Sequence, residues 1–112
     1  MEHVLRFRVV NRSIFLNIKK GVKKIETRAA TVRYRKIEKG DTLVFVCGKE
    51  RFRKKIAAVK IFKSIPALFR VYRVKDIFPD LSTVASATAE YHSFPDYKEK
   101  IKKFGLVAFR LG

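Results

Sequence analysis

Thirteen consecutive residues, Arg51 to Lys63 (RFRKKIAAVKIFK), contain no Gly, Pro, Asn or Asp. They are rich in β-branched and aromatic residues and read as one long strand. A straight strand is usually shorter, so a bend or bulge is expected near Ala57-Ala58. Upstream, Thr42–Cys47 (TLVFVC) is almost entirely apolar, as in a central strand, and Gly48-Lys49-Glu50 turns it back onto the long one. Residues 4–10 (VLRFRVV) alternate, with Leu5, Phe7 and Val9 on one side and Arg6 and Arg8 on the other. Residues 24–29 alternate again, and 106–111 (LVAFRL) closes the chain as a further strand.

Between the strands lie helical signals. Asn11 or Ser13 can cap a helix with Ile14, Phe15 and Ile18 on its stripe, Lys19 and Lys20 in its last turn, and Gly21 as its stop. Ser64 caps a helix over residues 64–72, with Pro66 in its first turn. Residues 82–91 are weakly helical. Ser93-Phe94-Pro95-Asp96 resembles a capping box for a helix with Tyr97, Ile101 and Phe104 as its stripe and Gly105 as its end. The order β-α-β-β-β-α-α-α-β lacks the alternation of a doubly wound parallel sheet. It predicts an α+β domain spanning 1–112: a small, mostly antiparallel barrel with short helices packed on it.

The charge points to partners. Lys and Arg number 27 against 10 Asp and Glu, a net +17. Residues 1–63 carry +14 of it. A folded domain so basic has the electrostatic footprint of a nucleic-acid binder. The absence of Gln, with two Asn, one Cys and one Met, fits a thermophile. Heat adaptation raises both signs of charge, however, and does not account for the excess. One Cys excludes a disulfide framework and a four-thiolate zinc site. His3, His92 and Cys47 have no metal-ligand spacing, so no metal is expected, and Cys47 reads as a buried thiol. No glycine-rich phosphate loop precedes a helix, and no cofactor is expected. No apolar run approaches a membrane span and no secretory signal is visible, so a cytoplasmic location without membrane contact is expected.

The segment most specific for chemistry is Gly21-Val22-Lys23-Lys24-Ile25-Glu26-Thr27-Arg28, which reads GxKxxExR. Alternation puts Lys24, Glu26 and Arg28 on one strand face and Ile25 and Thr27 on the other. Glu26 and Arg28 then stand about 7 Å apart at Cα. An ordinary exposed ion pair is one reading of them. A Lys and an Arg beside one carboxylate also form a site for a polar or anionic ligand, such as a phosphate or a nucleobase edge.

This segment resembles the signature of the ASCH domain family, small domains of the PUA-like barrel superfold. The Ile37-Glu38-Lys39-Gly40-Asp41 turn and the closing helix–Gly–strand pattern agree with it, so the likeness runs through nearly the whole chain. It implies a cleft lined by Lys23, Glu26 and Arg28 that binds RNA, single-stranded or modified, or a modified nucleoside. Some bacterial members of the family hydrolyse the acetyl amide of acetylcytidine nucleosides, which gives the alternative expectation of a small amidohydrolase. Lys23 would then activate the attacking species, its pKa lowered by burial or by Lys24 and Arg28. Those members carry a threonine where this chain has Glu26. Glu26 would act as a general base for water instead, with a second carboxylate from among Asp76, Asp80, Glu90 and Asp96.

Around the cleft, Lys24, Arg33, Arg35, Arg51, Arg53 and Lys54 are expected to form a phosphate-contacting surface. Tyr34, placed in a basic loop between Arg33 and Arg35, is the candidate for stacking a base. Phe7 and Phe52, also flanked by arginines, fall to the core by alternation. Tyr91, His92 and Ser93 can wall the cleft or serve ordinary loop roles. The lysine-rich helix over 97–104 has a narrow apolar stripe, which suits packing on the barrel better than lying on a membrane.

Overall fold

The computed structural model describes residues 1–112. Strand β4 (Glu50–Phe62) organises it. Its first half pairs antiparallel with β3 (Thr42–Cys47), Cys47 facing Glu50. Its second half pairs antiparallel with β5 (Leu106–Leu111). The register shifts between Ile56 and Ala58, a bulge at the expected place, and lets one strand serve both halves of the sheet. β1 (Glu2–Phe7) adds to β3 in parallel, and β2 (Ile25–Ala29) adds to β5 antiparallel. The order is β1-β3-β4-β5-β2.

The outer strands β1 and β2 do not pair, so the closed barrel expected from the sequence is not formed. The sheet is a curled half-barrel, mostly antiparallel as expected, with β1–β3 its one parallel pair. β1 pairs with a strand that begins 35 residues after it ends, which is a tertiary choice no local pattern encodes. Six short helices complete an α+β fold with a radius of gyration of 13.1 Å, compact for this length.

Two cores flank the strands. Val107 and Phe109 face one, with Leu5, Phe15, Ile18, Leu43, Phe45 and Ile56. Leu106 and Ala108 face the other, with Ile25, Ile65, Leu68, Ile77, Tyr91 and Ile101. This explains the unbroken apolar run at the start of β5: a strand buried on both faces has no polar side to show. Helix α1 (Arg12–Lys19) covers the first core through Phe15 and Ile18, and Gly21 turns out of it with φ +79°. Helices α3 (Ile65–Phe69), α5 (Val84–Ser93) and α6 (Tyr97–Phe104) cover the second. Ser64 caps α3 by accepting from the Ala67 N–H at 3.3 Å.

Some local expectations fail. The capping box does not form. Ser93 ends α5 and bonds the Glu90 carbonyl, while Asp96 enters α6 in the left-handed region at φ 63° without capping it. Two single-turn helices, α2 (Val32–Arg35) and α4 (Val74–Ile77), lie where no period signalled them. No helix is long and apolar enough to cross a membrane.

Candidate functional site

The open seam between β1 and β2 is a cleft of about 560 Å³, within the range of ligand pockets. β1 contributes Arg6, Phe7 and Arg8; β2 contributes Glu26, Thr27 and Arg28; Lys23 lies at the turn before β2. The far wall comes from the end of α4 and the following loop, from Glu90 and Tyr91 of α5, and from Tyr97 of α6. The GxKxxExR segment is positioned by β5: Glu26 and Arg28 register with Phe109 and Val107, and therefore share the concave side of the sheet with them.

Lys23 is 4% exposed and Glu26 5%. The Lys23 Nζ donates to the Ile77 carbonyl at 2.6 Å and stands 3.8 Å from Glu26 Oε1. Oε1 also accepts from the Thr27 N–H at 2.8 Å. Arg28 Nη2 approaches the other oxygen, Oε2, at 3.5 Å. Its guanidinium lies 5.2 Å from the centre of the Phe7 ring and 5.8 Å from that of Tyr34, so it bridges the seam. Beneath, the Thr27 hydroxyl bonds the buried Tyr91 hydroxyl at 2.5 Å. The Tyr97 hydroxyl accepts from the Ala29 N–H.

These contacts set the electrostatics. Burial pushes the Lys23 amine below its ordinary pKa, Arg28 reinforces the shift, and Glu26 opposes it. Burial also works against charge on Arg28, but Glu26, Tyr34 and Tyr97 outweigh it and hold its pKa above the ordinary value. Burial raises both Tyr91 and Tyr97, which stay neutral and able to donate. The cleft therefore offers one fixed cation, one amine biased toward its neutral form, one buried carboxylate and neutral hydroxyls against aromatic walls.

The structure redistributes the sequence candidates. Lys23, Glu26 and Arg28 come together in the cleft; Lys24 does not. It is exposed just before β2, and its backbone N–H bonds the Asp76 carbonyl. Tyr34 is not in a loop. It sits on α2, half-buried against the first core between the cations of Arg28 and Arg33, so its ring faces are already in contact. Arg33 donates to the Val4 carbonyl, and Arg35 to the carbonyls of Ala30 and Phe104. These two arginines tie α2 to the rest of the fold, and both remain exposed.

Arg51 and Arg53 are exposed on β4, in register with Val46 and Val44 of β3. Val46 registers in turn with Arg6. The three arginines share the outer sheet face, with Val44 and Val46 buried among them, as long side chains can arrange. Lys54 does not join them. It registers with the fully buried Leu43, and pleating puts it on the opposite face. Of the second carboxylates, Glu90 and Asp80 line the cleft; Asp76 and Asp96 do not. Tyr91 is in the wall, whereas His92 lines a separate surface hollow. No three His, Cys, Asp or Glu side chains gather to hold a metal ion.

The sequence reading missed Arg6 and Arg8 as cleft residues, and with them Phe78 and Tyr97. The basic side of β1 was visible, but its place at the open seam was not. Phe78 follows a helix that had no pattern, and Tyr97 read as helix packing.

The chain matches no protein-family model, and no curated protein sequence matches it. It is similar in structure to hypothetical protein PH0355 from Pyrococcus, with a TM-score of 0.85 and 25% identity, covering 99% of this chain and 97% of that one. It is also similar to protein PF0455 from Pyrococcus furiosus, whose solution NMR structure gives a TM-score of 0.75 at 27% identity, covering 99% and 96%. Both neighbours are from thermophilic archaea.

Proposed function

We propose that this chain is an RNA-binding domain of the ASCH type that receives an unpaired or modified nucleoside in the seam cleft. The observation that carries this reading is the convergence of Lys23, Glu26 and Arg28, the three charged motif residues, on one aromatic-walled cleft whose rim is Arg6 and Arg8. Hydrogen-bonding groups at the floor of a cleft beside flat apolar walls suit a splayed-out base. The outer face, from Arg53 through Arg51 to Arg6, supplies a phosphate track that leads to the cleft. An NMR titration with a short single-stranded RNA tests this. Amide shifts centred on residues 21–28, Phe78 and Tyr91 that persist at high salt support a specific cleft ligand. Shifts confined to the outer arginines that vanish with salt reduce binding to net charge and sink the cleft reading.

One observation favours a second reading. The Lys23 amine is buried, which moves its pKa downward in the direction a general base needs, and Glu90 stands in the same cleft. In that reading Lys23 takes a proton from water, the hydroxide attacks the acetyl carbonyl of an acetylated cytidine, and the Lys23 ammonium returns that proton to the leaving nitrogen as the amide C–N bond breaks, giving acetate and the free amine. Acetate release from N4-acetylcytidine by the native chain, lost in Lys23→Ala, is the expected result. No release over hours at high protein concentration removes the hydrolase reading.

A further inference from the structure

The base-binding reading leaves open which base is read, and the charged groups of the floor address this. Glu26 stands between two cations that approach different oxygens: Lys23 at Oε1, 3.8 Å away, and Arg28 at Oε2, 3.5 Å away. All three have hydrogen-bonding capacity left. The ammonium form of Lys23 has three N–H groups and donates one to Ile77; even its neutral form keeps one in reserve. Arg28 has five N–H groups, of which one contacts Glu26. The carboxylate has about four lone-pair directions and accepts hydrogen bonds from Thr27 and Arg28 only. Across the floor the unused groups run donor, acceptor, donor.

A ligand edge complementary to that row must run acceptor, donor, acceptor. Among the four RNA bases only uracil does so, through O2, N3–H and O4 of its cyclic imide. Cytosine presents two adjacent acceptors, one of which would face the carboxylate. Guanine places a second donor where a cation waits. Adenine lacks the flanking carbonyls. A mismatched base sets donor against donor or acceptor against acceptor at one of these buried groups, which is where hydrogen-bonding sites gain most of their discrimination. The flat walls supplied by Phe7, Phe78 and Tyr97 suit a planar ring.

We infer that the Lys23–Glu26–Arg28 floor selects a uracil-type imide edge, as free uridine or as an unpaired uridine in RNA. This inference rests on the base-binding reading above and narrows it.

The test is calorimetric titration of the full chain with the four nucleoside 5′-monophosphates, with 3-methyluridine set against uridine, and with short oligouridylate and oligocytidylate. The expected result is that uridine monophosphate binds at least about tenfold tighter than the cytidine compound. A methyl at N3 replaces the central donor and should abolish the preference on the native protein. Glu26→Gln places an amide donor at the centre of the row and should erase or reverse the uridine-over-cytidine ratio. Because the 3-methyluridine comparison uses the native chain, a poorly folded Glu26→Gln variant does not blunt the test. Oligouridylate binding much tighter than the monophosphate assigns the source to RNA; equal affinities assign it to the free nucleotide; both support the imide edge. Equal affinity for all four bases, with NMR shifts still at residues 21–28, overturns the inference and leaves the base-binding cleft standing. Absence of any ligand-induced shift at those residues overturns both.

Discussion

Lys23 is the residue whose environment departs most from that of a surface lysine. Between its lowered pKa and its ordinary value of 10.5, the unfolded chain binds a proton that the folded chain lacks. Stability therefore rises with pH across that window, by up to about 1.4 kcal/mol per pH unit from this one group. Tyr91 and Tyr97 act in the opposite sense. Their raised pKa values mean that above about pH 10 the unfolded chain loses protons the folded chain keeps, and stability falls. Urea denaturation from about pH 6 to about pH 10 should show the rise in the native chain and a flatter profile in Lys23→Met. A second residue-scale expectation concerns Thr27. Tyr91→Phe keeps the ring but strands the Thr27 hydroxyl in the interior, at a cost of about 1–2 kcal/mol. Adding Thr27→Val should recover part of it, a coupling that a double-mutant cycle measures directly. The motif residues themselves were legible because their spacing is local. Their burial was not, since the cleft wall is completed by Phe78, Glu90 and Tyr91, which arrive fifty or more positions later in the chain.

At the scale of elements, turns and bends were the readable part. The Ala57-Ala58 bulge, the Gly48 hairpin and the Gly21 stop each follow from strand length or backbone conformation within a few residues. Gly105 separates α6 from β5 and carries a stronger requirement than those turns. It has φ +79°, and a Cβ there would run into the Phe62 carbonyl oxygen. Gly40 has φ +90° with open space around it. Gly105→Ala should cost at least about 2 kcal/mol and Gly40→Ala nearer 1 kcal/mol, compared by thermal melts. Elements of a single turn stayed hidden. α2 holds its place through Arg33 and Arg35 bonding distant carbonyls, and such contacts leave no period in the sequence. The same contacts fix where Arg33 and Arg35 stand on the surface, and both remain exposed.

For the molecule as a whole, composition gave the sign of the surface and pairing decided where the charge lies. Arg51 and Arg53 share the outer face with Arg6, while pleating removes Lys54 from it. Replacing both Arg51 and Arg53 with Ala should weaken single-stranded RNA binding evenly across sequences. The slope of log affinity against log salt should become shallower by about 0.7 for each lost phosphate contact. Thermal stability should change little, because the Arg53–Glu2 pair at 2.9 Å is exposed. Fluorescence anisotropy over a salt series reads the slope, and an unchanged slope would place the phosphate path elsewhere. The half-barrel shape was beyond sequence reading for one reason: closure depends on whether β1 meets β2, and Arg28 lies across the gap between them.

β2, which carries Glu26, Thr27 and Arg28, has a single neighbour in the sheet, and that neighbour is β5 at residues 106–111. During synthesis the motif strand therefore leaves the ribosome long before anything can pair with it. At ordinary elongation rates the wait is on the order of 4–15 s. For that interval the motif strand is an unpaired segment of a growing cationic chain. A nascent chain halted after Gly105 would hold every cleft residue and still lack the strand that sets them in place.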